Sequence, residues 1–159
     1  MRIGILSDTH GRIDRTQEAV RMLESLKVAA VLHCGDIGSA EIVRLLRGWP
    51  CHFVFGNVDD PDLLREAILE AGQTCHEWFG SLEVEDRKIA LLHGDDYRRL
   101  RQTIASGQWD LVCHGHTHVA DIRTEGRTVV VNPGALHRSA RPSLAVVDLP
   151  SLKATPVTL

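Results

Sequence analysis

The histidines of His114-Gly115-His116-Thr117-His118 stand at alternate positions, immediately after the apolar pair Leu111-Val112. Imidazole is the commonest metal-ligating side chain and titrates near neutral pH, so such a cluster points to metal or acid–base chemistry. Two more histidines sit in equally suggestive places, Asp8-Thr9-His10 and Leu92-His93-Gly94, and two polar glycine turns, Gly35-Asp36 and Gly56-Asn57, complete the set. Each group directly follows an apolar run that reads as a strand. Side chains from neighbouring strands converge beyond strand carboxyl ends, so these five groups read as one metal site assembled from a sheet.

A mixture of imidazole, carboxylate and amide suits Mn, Fe, Zn, Co or Ni rather than Ca. Two such ions roughly 3.5–4 Å apart would share one carboxylate and clamp an in-line displacement at phosphorus. Asp36, alone after its glycine at a mid-sheet strand end, is the natural candidate for that shared ligand. Asp8 and His10 are two apart and point the same way if the chain is extended. The same holds for His114, His116 and His118 unless Gly115 turns the backbone.

The elements that must position these residues are legible in the apolar pattern. Residues 2–7 read as a strand, 14–26 as a helix with Asp14 as its cap, 29–34 as a buried strand, 40–46 as a helix and 51–55 as a third strand. Strand–helix alternation with short connections implies parallel strands joined by right-handed crossovers. After residue 75 the pattern changes: 81–85 and 89–92 read as a hairpin, 97–106 as a helix, and 110–113, 119–124, 128–131 and 143–148 as further, more antiparallel strands. The expected fold class is α/β, a four-layer αββα sandwich of two mixed β-sheets flanked by helices. Residues 1–159 are expected to form one domain. Segments 60–76, 94–99 and 134–142 are expected to be loops that set specificity.

Composition narrows the setting. Hydrophobic residues make up 43% and charged residues 25%, ordinary for a soluble globular chain. A net charge of −3 argues against a general nucleic-acid footprint, and the arginines at 98, 99 and 101 read as a solvated helix face. The cysteines at 34, 51, 75 and 113 show no paired spacing, so they read as reduced core thiols in a cytoplasmic protein. No apolar stretch reaches membrane-spanning length, and a first strand beginning at residue 2 leaves no room for a signal peptide.

The blocks Asp8-Thr9-His10, Gly35-Asp36, Gly56-Asn57, His93-Gly94 and Gly115-His116-Thr117-His118, in this order, resemble the calcineurin-like metallophosphoesterases across residues 1 to about 148. The compact length and the Asn132-Pro133-Gly134 turn are similar to the family's small bacterial and archaeal phosphodiesterase branch. The resemblance implies two divalent transition-metal ions per chain, Mn²⁺ first, with Ni²⁺, Fe²⁺, Co²⁺ and Zn²⁺ as alternatives. Asp8, His10, Asp36 and His118 would surround one ion, and Asp36, Asn57, His93 and His116 the other. A hydroxide bridging the ions would be the nucleophile, with Asp36, Asn57 and His93 as the catalytic set. Many relatives carry His directly after the Asn, where it protonates the leaving oxygen; here that position is Val58. Valine donates no proton, and general acid catalysis is worth ~10²–10⁴-fold, so phosphodiesters or esters with good leaving groups are favoured over alkyl monoesters.

The expected function is therefore a metal-dependent phosphoesterase, phosphodiesterase ahead of phosphomonoesterase, acting on a small phosphorylated substrate, with a homo-oligomer compatible. The rivals are a protein-interaction scaffold on the same fold, like the retromer subunit that resembles this family, and a nuclease. Turn capping or core hydrogen bonding is the bland explanation for the seven ligand candidates, and their shared register at strand ends argues against it. His114 and His33 read instead as buried hydrogen-bonded support. Asp59 either orients a ligand or closes a turn before Pro61, Arg12 reads as solvated, and His137 could approach the site edge. His52 and His76 have no visible partners, and Trp49, Trp78 and Trp109 read as cover for the core.

Overall fold

The computed structural model describes residues 1–159. In chain order the elements are β1 (Arg2–Leu6), α1 (Ile13–Ser25), β2 (Ala30–His33), α2 (Ala40–Leu45), β3 (Cys51–Phe53), α3 (Pro61–Glu70), β4 (Thr74–Cys75), β5 (Gly80–Val84), β6 (Arg87–Leu91), α4 (Tyr97–Ala105), β7 (Leu111–Cys113), β8 (Asp121–Glu125), β9 (Thr128–Asn132), β10 (Ser143–Asp148) and β11 (Lys153–Thr158). A six-stranded sheet runs β11-β10-β1-β2-β3-β4 and a five-stranded one β5-β6-β7-β9-β8. Strands β1 to β4 are parallel, β10 pairs antiparallel with β1, and β11 pairs antiparallel with β10. In the second sheet the β5–β6 and β8–β9 pairs are antiparallel, whereas β6, β7 and β9 run parallel. Both sheets are mixed, as expected.

Strand alternation sends successive side chains to opposite faces and so builds three apolar layers. Ile3, Ile5, Leu32, Ile89, Leu91, Leu111 and Val131 meet between the sheets. Leu6, Val31 and Phe53 face the other way, onto Ala19 and Leu23 of α1, Ile42 of α2, and Leu64 and Ile68 of α3. Ala90, Val112 and Val130 pack outward onto Leu100 and Ile104 of α4. The result is helices, sheet, sheet, helix.

Four local readings are corrected. Helix α1 starts at Ile13 with Arg12 at its cap position and no side-chain cap bond, because Asp14 pairs with the Arg12 guanidinium instead. Segment 60–76 is not a loop: Asp60 caps α3 by accepting from the N–H groups of Asp62 and Leu63, and Pro61 starts the helix. Strand β11, unanticipated, carries Pro156 on the sheet edge, where a missing N–H costs no ladder bond. Strand β8 begins at Asp121 rather than at 119. No helix is long and apolar enough to cross a membrane.

Candidate metal centre

The parallel strands β1, β2, β3, β6 and β7 end on the same side of the sandwich, and the loops that follow them carry all seven ligand candidates. Two backbone bonds bind the first two loops together: Asp8 N–H donates to the Gly35 carbonyl at 3.0 Å and His10 N–H to the Asp36 carbonyl at 2.9 Å. In the second sheet, Gly115 N–H after β7 donates to the His93 carbonyl after β6 at 2.9 Å.

The turns are sharp. Asp8, His10, Asp36, His116 and His118 all have φ between 44° and 71°, the left-handed region that side-chain-bearing residues rarely enter. The alternate spacing therefore works differently from an extended strand: Asp8 and His10, and likewise His116 and His118, each take their own positive φ rather than an extended backbone. Strained backbone persists only where surroundings over-determine it, and such residues cluster at functional sites. Two glycines make the packing possible. A Cβ on Gly56 would lie 2.0 Å from Asp36 Oδ1, and one on Gly115 would lie 1.8 Å from Ser7 Oγ and 2.6 Å from Asp8 Oδ2.

The carboxylates divide their oxygens. Asp8 Oδ2 accepts from Ser7 Oγ at 2.5 Å and from His116 N–H at 3.0 Å, whereas Oδ1 faces His118 Nε2 at 3.1 Å and His10 Nε2 at 3.6 Å. Asp36 Oδ1 accepts from Val58 N–H at 3.2 Å, and its Oδ2 lies between His10 Nε2 at 3.4 Å and His93 Nε2 at 3.3 Å. His93 Nδ1 donates to the Cys34 carbonyl at 2.8 Å, which fixes the ring with Nε2 towards Asp36 and Asn57 Oδ1, the latter at 3.1 Å. Ligand atoms of Asp8, His10 and His118 lie within 4.8 Å of one another, as do those of Asp8, Asp36 and His93. Asp8 thus stands in both groups, while Asp36 is the carboxylate between His10 and His93. His116 joins through its ring, 5.1 Å from that of His93.

Such an arrangement is electrostatically incomplete without a cation. Asp8 Oδ1 and His10 Nε2, like His114 Nε2 and His137 Nδ1, are buried without a hydrogen bond, and the first two face the other converging ligand atoms, which fits a place for a positive ion. Protonation partly answers the same need. Burial works against a charged His93 ring, but the neighbouring Asp36 carboxylate outweighs it and holds the pKa above the ordinary imidazole range. Burial likewise pushes the Asp36 carboxyl up, and His93 with the Val58 N–H pulls it back below the usual range.

The cluster floors a cleft of about 380 Å³ lined by His10, Asp36, Asn57, His116 and His118, with Val58, His137 and Arg138 at its rim. A larger cavity of about 540 Å³ near Lys88, Trp109 and Arg127 holds none of these ligand atoms. His114 lies apart, its Nδ1 donating to the Gly115 carbonyl at 3.2 Å. His33 is buried beneath the Asp36 loop, accepting from Gly35 N–H and contacting Thr9 Oγ1 at 3.0 Å. Asp59 stitches two loops, accepting from Gly56, Ile37 and Gly38 N–H groups. Sequence reasoning missed two supports. Ser7 aims Asp8, and Asn132 at the end of β9 donates to the Gly115 carbonyl and to Thr117 Oγ1. The polar residue closing an otherwise apolar strand, Thr128–Asn132, was the available signal for the latter. Arg12 pairs with Asp14 on the surface.

Comparison with known proteins places the chain in a family. The model of the calcineurin-like phosphoesterase superfamily domain matches residues 1–151. Phosphodiesterase MJ0936 of Methanocaldococcus jannaschii is 29% identical over 154 residues, covering 93% of both chains. A solved archaeal phosphodiesterase superposes over 100% of both chains with a TM-score of 0.92 at 27% identity. Vps29 of Entamoeba histolytica shares the fold over 100% of this chain and 99% of its own, with a TM-score of 0.70 at 19% identity.

Proposed function

The chain belongs to the calcineurin-like phosphoesterase superfamily, and on that premise we propose that it is a dinuclear metal-dependent phosphodiesterase whose single domain spans residues 1–159. The observation that carries this reading is the convergence of Asp8, His10, Asp36, His93 and His118 ligand atoms, among which Asp8 Oδ1 and His10 Nε2 are buried without a hydrogen bond. Asp8, His10 and His118 would hold one divalent transition-metal ion and Asn57, His93 and His116 the other, with Asp36 between them; Mn²⁺ is the first candidate, ahead of Ni²⁺, Fe²⁺, Co²⁺ or Zn²⁺. When bound, such ions activate water at neutral pH and offset charge developing on the phosphoryl oxygens.

The chain's own residues do the rest. Ser7, buried and donating to Asp8 Oδ2, orients that carboxylate and is not placed as a nucleophile. The Cys34 carbonyl locks the His93 tautomer, and Asn57 and Asp36 hold its far nitrogen in the cleft. Hydrolysis adds water to phosphorus and breaks the bond to one ester arm, whose oxygen needs a proton or must leave as a stable anion. Val58 is 58% exposed at the rim and offers no proton. That supports diesters and activated esters over alkyl monoesters. The setting we infer is cytoplasmic, and the substrate a small phosphorylated molecule.

Elemental analysis of protein purified without added metal, beside Mn²⁺-supplemented hydrolysis of bis-p-nitrophenyl phosphate and p-nitrophenyl phosphate, tests this directly. The expected result is about two metal ions per chain with the diester preferred. Asp36→Asn should lower metal affinity by at least the ~10–100-fold that loss of an outer supporting partner costs, and turnover with it. Full metal content and turnover in that variant would overturn the ligand assignment. A wild-type chain without metal, and with no rescue by Mn²⁺, Ni²⁺ or Zn²⁺, would point to a binding scaffold instead.

A further inference from the structure

The cleft is flanked by two pockets of different character. On the His93 side a pocket of about 170 Å³ is lined by Phe55, Trp78, Asp95, Asp96 and Arg99, whose guanidinium stacks over the Phe79 ring at 4.8 Å. Trp78 is 45% exposed and stands edge-on to the buried Phe55 ring at 5.5 Å. Asp96 is fixed there as the cap of α4, accepting from Arg99 N–H. On the His118 side the cleft opens into a pocket of about 560 Å³ that contains both Arg138 and Arg141, and Arg138 lines cleft and pocket alike.

These two arginines differ from most others in the chain. Arg2 is tied to Asp148, Arg12 to Asp14, Arg65 to Glu77, and Arg123 and Arg127 to the acids beside them. Arg138 and Arg141, like Arg21, Arg47, Arg98 and Arg99, have no carboxylate partner, and of these Arg138 alone lines the cleft, beside its two buried carboxylates. Guanidinium presents a planar fork that matches phosphate, and unpaired forks beside a phosphoryl site are placed for a second anion. At the opposite mouth Asp95 and Asp96 offset Arg99, which is engaged with the Phe79 ring, so the arginine that reaches the cleft itself is Arg138.

We propose that Arg138 and Arg141 form a subsite for a second phosphate carried on one arm of the diester, leaving the Trp78 side to the uncharged, aromatic arm. The substrate class is a nucleotide-like diester with one further phosphorylated position. This rests on the phosphodiesterase reading above but is tested without turnover.

Calorimetric titration of the Mn²⁺-supplemented full chain with thymidine 5′-phosphate and with thymidine 3′,5′-bisphosphate isolates the extra phosphate. The bisphosphate should bind about tenfold more tightly, as one good charge-assisted contact provides. The R138A/R141A double variant should bind both ligands with equal affinity, and R138K/R141K should recover part of the difference. Equal binding by the wild type, or an undiminished preference in the double alanine variant, overturns the proposal. A chain that prefers the bisphosphate but hydrolyses no diester supports the subsite and refutes the enzyme. One that hydrolyses bis-p-nitrophenyl phosphate yet ignores the second phosphate does the reverse.

Discussion

His33 shows how a single buried side chain couples the site to folding. Its Nδ1 accepts from Gly35 N–H at 3.2 Å, so Nε2 carries the proton and donates to Thr9 Oγ1, whose hydroxyl in turn donates to the Ile37 carbonyl at 2.9 Å. Protonating Nδ1 would remove the acceptor beneath the Asp36 loop. Burial, reinforced by the nearby His93, lowers its pKa from the ordinary imidazole range to about 3. The unfolded chain then binds this proton below about pH 6.5 while the folded chain does not. The stabilisation is fully present above that pH and is lost progressively as pH falls from about 6.5 towards the folded value. In chelator, the thermal midpoint should drop more steeply between pH 7 and 5 for the wild type than for His33→Asn, which keeps an acceptor for Gly35 but takes up no proton. His52 and His76, both lowered mainly by burial, contribute a slope common to both proteins. Parallel pH profiles would refute the assignment to His33.

At the scale of elements, the loop after β7 depends on the end of β9. Asn132 is buried and uses both ends of its amide: Nδ2 donates to the Gly115 carbonyl at 3.0 Å and to Thr117 Oγ1 at 2.9 Å, and Oδ1 accepts from Gly134 N–H at 3.0 Å. Asn132→Ala leaves the Gly115 carbonyl and Gly134 N–H without these partners and should cost about 1–3 kcal/mol in urea unfolding. It should also lower metal content, because Gly115–His118 is the loop that carries two imidazoles. Wild-type stability together with wild-type metal content would show that the loop holds itself. Asn132 was visible beforehand only as part of an Asn-Pro-Gly turn, since its partners are 15 and 17 residues away and long-range bonds leave no local signature. The sheets and the five loops that carry the ligand candidates were legible because apolar runs and the residues ending them are local. Helix α3 was legible in principle, from Asp60 before Pro61 and apolar residues at Leu63, Leu64, Ala67 and Ile68, yet its polar flanks read as a loop. Strand β11 was hidden because most of it is solvent-exposed at the sheet edge, where little apolar alternation is required. The inward aim of Asp8 and His118 was hidden for another reason: it depends on positive φ, which residue type alone does not reveal.

For the whole molecule, the ligand candidates come from both halves of the sandwich. Asp8, His10, Asp36 and Asn57 follow strands of the six-stranded sheet, and His93, His116 and His118 follow strands of the five-stranded one. The sheets otherwise meet through apolar side chains such as Ile5, Leu32, Leu91 and Leu111, which resist separation without directional bonds. Ions bound at their common end would staple the sheets together and relieve the mutual repulsion of Asp8 and Asp36. A ligand that binds only the native state adds about 2.7 kcal/mol at a hundredfold excess over Kd. In a domain of this size each kcal/mol moves the midpoint by about 2–4 °C, so Mn²⁺ loading should raise Tm by roughly 5–11 °C and chelation should reverse it. Asp36→Asn should lose most of the gain, since that carboxylate lies between His10 of one half and His93 of the other. A Tm indifferent to metal, or an Asp36→Asn gain equal to that of the wild type, would mean that the apolar interface and the direct bonds from His93 to Cys34 and from His116 to Asp8 hold the two sheets without help from an ion at Asp36.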